Sequence, residues 1–571
     1  MANLNIDAVK DMTYDAIVVG SGVSGGWAAK ELTEKGLRVL MLERGKQLEH
    51  VTGYENALKA PWQLQYNGRL TEEQKETHPK LSRDYPYNEM TEKYWMKDAD
   101  SLYKETKRFD WFRPNIVGGK SIMWGRQSYR LSDIDFEANA KEGIAVDWPI
   151  RYKDIAPWYS YVEKHVGISG EKLGLPQLPD SEFLPPMEMF CVEKEVRKRI
   201  EKQFPGRVMT IGRVANLSAA GKAQLGIGRS ACQYRNQCAL GCPYGAYFST
   251  QSCTLPPAAK TGRLTLRPDS MVTNILYNKD THKATGVRVV DAVTLEERIY
   301  NAKIVFVCAS ALGSTALLLN STSERFPDGM GNDSGQLGHN LMDHHFRIGA
   351  SGEWEGDLDK YYYGRRANGI YIPRYRNIGN DKRDYLRGFG YQGRASRESW
   401  QRGIAELSFG ADFKEEMTTP GHWQMGIGGF GETLPYYENK MYLDKTEKDK
   451  WGMPLVVFDA DLRENEIKMR EDMKNDAAEM LEKSGLKNVK AYDRGSYLGM
   501  AIHEMGTARM GRDQKTSVLN GNNQVWGAKN VFVTDGACMT SASCVNPSLT
   551  YMALTARAAD FAVKELNKKN I

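Results

Sequence analysis

The first readable pattern is a short apolar run, Ala16-Ile17-Val18-Val19, that ends in Gly20-Ser21-Gly22-Val23-Ser24-Gly25. Apolar and small residues then recur at helical spacing (Trp27, Ala28, Ala29, Leu32) as far as Gly36, and Val39-Leu40-Met41-Leu42 follows, closed by Glu43. Strand, glycine turn, helix and strand in that order predict a nucleotide-binding βαβ unit. Strand-like runs resume at Leu264 to Leu276 and at Ile304 to Cys308. From Tyr371 to Val457, alternating apolar residues mixed with Gly and Pro suit an antiparallel sheet. The chain ends with a strand at Val531 to Thr534, a Gly/Ser/Asn-rich loop and a long helix from about Pro547 to Leu566.

The longest apolar stretch, Ile304 to Leu319, is broken by Ser310, Gly313, Ser314 and Thr315. It falls short of the ~18–20 apolar residues of a membrane span and reads as a strand running into a helix. The 571 residues exceed what one hydrophobic core organises, so at least two lobes are expected. With 41% hydrophobic and 26% charged residues, the chain is not disordered, collagen-like or a coiled coil. A net charge of +5 with mixed signs gives no basic stripe, so no nucleic-acid partner is expected. Met1 to Thr13 lacks the apolar stretch of a signal peptide.

The three glycines of the first turn have separate tasks. One allows the tight turn, one lets the backbone approach a pyrophosphate, and one packs helix against strand. The following helix presents its positive end to the phosphates. Glu43 stands where a carboxylate holds a ribose hydroxyl and would repel a 2′-phosphate, which disfavours NADP. The motif alone does not separate NAD from FAD.

Five further stretches bear on that choice: Gly118-Gly119-Lys120-Ser121-Ile122-Met123-Trp124-Gly125, the run from Ser334 to His344, His503-Glu504-Met505-Gly506-Thr507, Thr534-Asp535-Gly536-Ala537 and Val545-Asn546-Pro547-Ser548. In content and order they resemble the glucose–methanol–choline (GMC) oxidoreductases. The resemblance implies an α/β fold with a discontinuous Rossmann-type FAD-binding lobe (1–60, 225–345 and 500–571). The remaining segments (61–224 and 346–499) would form an α+β substrate lobe with an antiparallel sheet. It implies His503 as catalytic base and Asn546 as its partner on the substrate hydroxyl. Asp535 and Gly536 would meet the FAD phosphate and ribityl chain, Pro547 would sit near the flavin ring, and Val272 would contact adenine. Gly118, Gly119, Ser121 and Trp124 would belong to the same cofactor site. A histidine accepts a hydroxyl proton near neutral pH, and Asn can donate or accept a hydrogen bond without competing for it. Related pyranose oxidases bind FAD covalently through a His in the Gly-Gly stretch. Met123 stands there and offers no ring nitrogen, so non-covalent FAD is expected.

Eight cysteines are too few for a disulfide scaffold, yet Cys232, Cys238 and Cys242 form a C-x5-C-x3-C-P arrangement. Close spacing with a trailing Pro suits iron–sulfur ligands. Similar spacing occurs in FAD-dependent glucose and glucoside dehydrogenases of this family that carry a [3Fe–4S] cluster. Cys253 is a possible fourth ligand, and zinc, a disulfide or plain buried thiols are the alternatives. A one-electron centre would pass electrons to an external acceptor.

Tyr361-Tyr362-Tyr363, Arg365-Arg366 and Tyr391-Gln392 give the inserted lobe a composition suited to sugar binding or to any polar interface. The resemblance points to sugars or glycosides, with C3 oxidation of glucosides favoured over C1 oxidation of glucose or oxidation of gluconate. It also implies a small companion subunit with a twin-arginine signal, a cytochrome c acceptor and a periplasmic location by co-export, with the cytoplasm as the alternative. Outside that reading, an NAD-dependent dehydrogenase explains only Gly20 to Glu43, and a non-catalytic flavin relay needs neither His503 nor Asn546.

Overall fold

The computed structural model describes residues 12–362, 364, 366–398, 409–418 and 421–571. The expected βαβ unit is present as the strand Thr13–Val19, the helix Val23–Glu34 and the strand Val39–Leu42. The first strand lies inside a parallel sheet, flanked by Val39–Leu42 on one side and Glu297–Val307 on the other. Leu264–Arg267 and Ala528–Val533 extend the parallel part at its two ends. Strands from the start, middle and end of the chain therefore share one sheet. The glycine loop leaves the carboxyl end of a strand with neighbours on both sides, where nucleotides bind in such sheets. Ser270–Asn278 and Lys283–Asp291 continue the sheet as an antiparallel meander into Glu297–Val307.

Both faces of this sheet are covered. The helix Val23–Glu34 packs against the C-terminal helix Ser548–Asn567, which also packs on the helix Tyr152–Val166. Even Lys30 and Glu31 of the first helix are buried, joined to each other and to Glu34 and the Tyr161 hydroxyl. The C-terminal helix buries eleven residues, seven of them Ala or Thr, so it lies close to its neighbours.

A second, antiparallel sheet takes seven strands, Thr210–Ile211, His344–His345, Ile348–Trp354, Ile370–Ile372, Phe389–Arg397, Trp423–Glu432 and Lys487–Asp493. The expected sheet thus begins before Tyr371 and ends after Val457. The pair Lys440–Lys448 and Pro454–Asp459 instead joins Lys104–Glu105 in a separate three-stranded sheet. The helices Cys191–Gln203 and Glu464–Lys483 pack their apolar stripes on the second sheet. No helix of the described residues is long and apolar enough to cross a membrane.

Candidate active site

A cavity of about 510 Å³ runs from the glycine loop to the junction with the antiparallel sheet. At one end the glycines act as expected. A Cβ on Gly20 (φ +95°) would stand 2.4 Å from Cys308 O, and one on Gly25 would stand 1.9 Å from Gly20 O. A Cβ on Gly22 would meet nothing within 4 Å. That open space lies at the N-terminus of a helix with no acid in its first turn, the setting a pyrophosphate requires. Glu43 accepts the backbone N–H (3.0 Å) and hydroxyl (2.6 Å) of Ser21 through Oε2, and the Gly45 N–H (2.8 Å) through Oε1. It shapes the loop as well as lining the cavity.

Ser21 Oγ in turn accepts the N–H of Gly118 (2.8 Å), which ties the glycine loop to the Gly118–Trp124 turn. Gly119, Ser121, Trp124, Val272, Asp535 and Gly536 all line the cavity. Gly25, Gly118 and Pro547 do not. Gly25 packs behind the loop, Gly118 (φ +92°) shapes its turn, and Pro547 precedes the first turn of the C-terminal helix. Asp535 accepts the Ala537 N–H (3.0 Å) and the Ser314 hydroxyl, while burial raises its pKa to about 6. The Tyr551 hydroxyl on this wall is buried with no protein partner. An orphan donor beside two acid-free helix N-termini fits a dinucleotide cofactor.

At the other end His503 and Asn546 face each other, with Nε2 and Nδ2 3.5 Å apart. His503 Nδ1 is 2.7 Å from Nδ1 of His344, whose Nε2 donates to Ser543 O at 2.7 Å. Burial, then His344 and the Lys120 ammonium, hold His503 well below the ordinary imidazole range. Lys120 pairs with Glu504 at 3.3 Å on the same wall. Asn546 Oδ1 accepts from Gln392 Nε2 (2.7 Å). Asp343, fully buried, receives the N–H groups of His344 and His503 on Oδ1 and those of Gly499 and Ala501 on Oδ2. It thereby holds Ile502 left-handed (φ +62°), a strained state for a β-branched residue. The arrangement offers a neutral base and an amide donor on either side of a position for one hydroxyl.

Family models of GMC oxidoreductases match residues 14–346 and 435–555. The chain belongs to the GMC oxidoreductase family. Among similar proteins, 2-methyl-1,2-propanediol dehydrogenase of Mycolicibacterium austroafricanum is 28% identical over 96% of this chain and 94% of its own. The fructose dehydrogenase large subunit of Gluconobacter japonicus is 25% identical over 98% of this chain and 99% of its own. The crystal structure of pyridoxine 4-oxidase from Mesorbium loti shares the fold, with a TM-score of 0.60 at 16% identity over 96% of this chain and 98% of that one. As a GMC oxidoreductase, the protein is an FAD enzyme acting on CH–OH groups.

The cysteines of this GMC oxidoreductase divide into two sets. Cys232, Cys238 and Cys242 are close enough to act on one another's ionisation. The backbone N–H groups of Ala246, Tyr244 and Tyr247 draw the Cys242 pKa down, and that of Tyr234 the Cys232 pKa, by less than burial raises them. Burial pushes both thiols up. Among the described residues, no group of three His, Cys, Asp or Glu side chains is arranged to hold a metal ion. Cys253 does not join the three. Its sulfur lies 3.3 Å from the Arg229 guanidinium and its carbonyl 3.0 Å from His165.

The aromatic and arginine runs read as sugar-binding composition are partly structural. Arg366 forms a buried ion pair with Glu193 (2.6 Å), Tyr362 packs on Phe190, and Tyr391 Oη donates to Met473 O within the core. Tyr363 and Arg365 lie outside the described residues. Sequence reasoning missed His344, Lys120, Glu504 and Tyr85 as site residues; Gln392, read there only as part of a sugar-binding composition, lines the cavity beside Asn546. His344 adjoins Asp343 in a recognised stretch, but nothing local marks its contact with residue 503.

Proposed function

We propose that the protein is an FAD-dependent sugar dehydrogenase that oxidises a secondary hydroxyl of a glucoside, with C3 favoured, to the keto sugar. The observation that carries the oxidation is the facing of His503 and Asn546 across the cavity. His503 Nε2 takes the hydroxyl proton, and the Asn546 amide donates to the same oxygen as it becomes a carbonyl. Held below its usual range, His503 is unprotonated and free to accept a proton throughout the physiological span, and a placed base is worth roughly 100- to 10,000-fold in rate. FAD, when bound, would supply the acceptor for the hydride leaving the substrate carbon. Gly22, Ser121, Asp535, Gly536 and Tyr551 would hold it, and Met123 leaves it non-covalent.

A sugar as substrate is supported by the amides and aromatics that line the cavity, Gln127, Asn368, Gln392, Trp124 and Tyr85, and by the fructose dehydrogenase likeness. The preference for C3 rests on the sequence resemblance to glucoside 3-dehydrogenases; C1 oxidation of glucose or oxidation of gluconate is the second reading.

Cys232, Cys238 and Cys242 would hold an iron–sulfur cluster of the [3Fe–4S] type, supplying one-electron exit to a cytochrome c or other acceptor. What supports this reading is the C-x5-C-x3-C-P spacing and the nearness of the three thiols to one another, although their sulfurs do not stand as a ready-made ligand set. A companion subunit carrying the export signal, and a periplasmic location, complete the reading.

The test is anaerobic mixing of the purified enzyme with methyl α- or β-glucoside while flavin absorbance is followed. C1 is blocked in these compounds, so bleaching is expected and leads to product analysis at C3. Bleaching by free glucose alone would move the activity to C1. Iron and acid-labile sulfide in the same preparation test the cluster, and their absence would remove it.

A further inference from the structure

We propose that His344 and Gln392 are positioning residues of the oxidation: His344 fixes which nitrogen of His503 is bare, and Gln392 fixes which end of the Asn546 amide faces it. The proposal rests on the reading of His503 as the base.

The argument starts from one carbonyl. Ser543 O can only accept, so His344 Nε2, 2.7 Å away, carries a hydrogen. His344 is fully buried, and burial lowers its pKa to about 4, so the ring is neutral and its Nδ1 is bare. Two bare nitrogens at 2.7 Å would repel; His503 Nδ1 therefore donates to His344 Nδ1. A neutral His503 is then bare at Nε2, the nitrogen on the Asn546 side. The carbonyl that sets this order is itself held. Ser543 is left-handed (φ +58°), and its hydroxyl donates to Asp135 Oδ1 at 2.7 Å. Asp135 Oδ2 is fixed by the N–H and hydroxyl of Ser132.

The same order runs onward into the substrate lobe. A bare Nε2 requires Asn546 to present Nδ2, which leaves Oδ1 to accept from Gln392 Nε2 at 2.7 Å. Gln392 Oε1 then accepts from Gln127 Nε2 (3.4 Å), and Gln127 Oε1 from the Tyr129 hydroxyl (2.6 Å). The link between Asn546 and His503 is the longest, at 3.5 Å, so a substrate hydroxyl replaces a weak bond. That hydroxyl donates to Nε2 and accepts from Nδ2. The proton transfer breaks its O–H bond and forms N–H at Nε2, while Nδ1–H stays bonded to His344.

The test is ¹⁵N-histidine NMR on the FAD-loaded enzyme, with the His503 signal identified by its loss in His503→Ala. The expected result is an Nδ1–H tautomer at His503. It persists in His344→Gln, whose amide oxygen accepts from Nδ1–H while its NH₂ donates to Ser543 O, and shifts toward Nε2–H in His344→Leu. In anaerobic flavin reduction, His344→Leu slows the rate at least about tenfold, part of what a base supplies. His344→Gln recovers most of it at unchanged FAD content. Gln392→Glu, which can only accept, turns the Asn546 amide around and slows reduction about tenfold. An Nε2–H tautomer in the wild type overturns the proposal whether or not His344→Leu folds, as does an unchanged tautomer in that variant. Full activity of Gln392→Glu overturns the Gln392 part. If the Nδ1–H tautomer is found but His503→Ala reduces flavin at the wild-type rate, the reading of His503 as base falls and the positioning role falls with it.

Discussion

At the glycine end of the cavity, the Ser21–Glu43 clamp spans 22 residues and the three glycines lie within one turn and the helix it opens. At the catalytic end, His503 meets His344 across 159 residues and Asn546 across 43, while Gln392 reaches Asn546 across 154. The glycine turn itself is a local object that a single βαβ unit builds, although the wall facing it comes from distant segments such as Gly118 and Asp535. The catalytic end exists only when both sheets are folded and docked. Damage at the first should therefore appear as loss of cofactor or fold, and damage at the second as loss of rate with cofactor retained.

The largest expected effect is at Gly25. A methyl there would overlap Gly20 O at 1.9 Å, so Gly25→Ala must move the helix or the loop, and overpacking of this kind costs about 1–3 kcal/mol or more. We expect purified Gly25→Ala to lack FAD and to melt earlier than wild type. Gly22→Ala faces open space and should keep its melting temperature without FAD while binding FAD more weakly. Equal FAD affinity in Gly22→Ala and wild type would break the distinction between the packing and cofactor-facing glycines.

Next in size is His503→Ala. Flavin content should be unchanged, and the anaerobic rate of flavin reduction should fall roughly 100- to 10,000-fold. Loss of flavin in this variant would show that the catalytic end also builds the cofactor site, which would blur the comparison. Cys238→Ser should leave the substrate-driven flavin reduction intact and slow turnover only with a protein electron acceptor. Unchanged turnover with that acceptor would take the cysteine loop out of the electron path.

The same contrast explains what the sequence made legible. The βαβ unit, the C-terminal strand and its helix depend on local apolar period and turn residues, and these are written within short windows. The pairing of Gln392 with Asn546 depends on which residue of Phe389–Arg397 ends up beside the junction of the two sheets, which no local period encodes. Arg366 looked like a surface sugar-binding residue because its partner, Glu193, is 173 residues away. Cys253 looked like a fourth ligand because it is near in sequence. Its sulfur instead lies against the buried Arg229, in the π-helical turn Thr250–Thr254.

The smallest effect concerns pH, and its sign follows from burial. His344, His345 and His503 all have folded pKa values below the unfolded value of about 6.5. Such a group is neutral in the fold and takes up a proton on unfolding. Its contribution to stability is fully present above pH ~6.5 and is lost as pH falls from there toward the folded pKa. Between pH 8 and 6.5, the melting temperature and the rate of flavin reduction should both be nearly flat on account of these groups. Below pH ~6.5 each histidine removes up to about 1.4 kcal/mol of stability per pH unit. His344→Gln deletes one titrating group, so its acid stability loss should be shallower than wild type by up to that slope. Denaturant unfolding at pH 7 and pH 5.5 measures the difference. An identical slope in the two proteins would mean that His344 is protonated in the folded state, which contradicts a bare Nδ1 and would return the catalytic end to an unordered set of contacts.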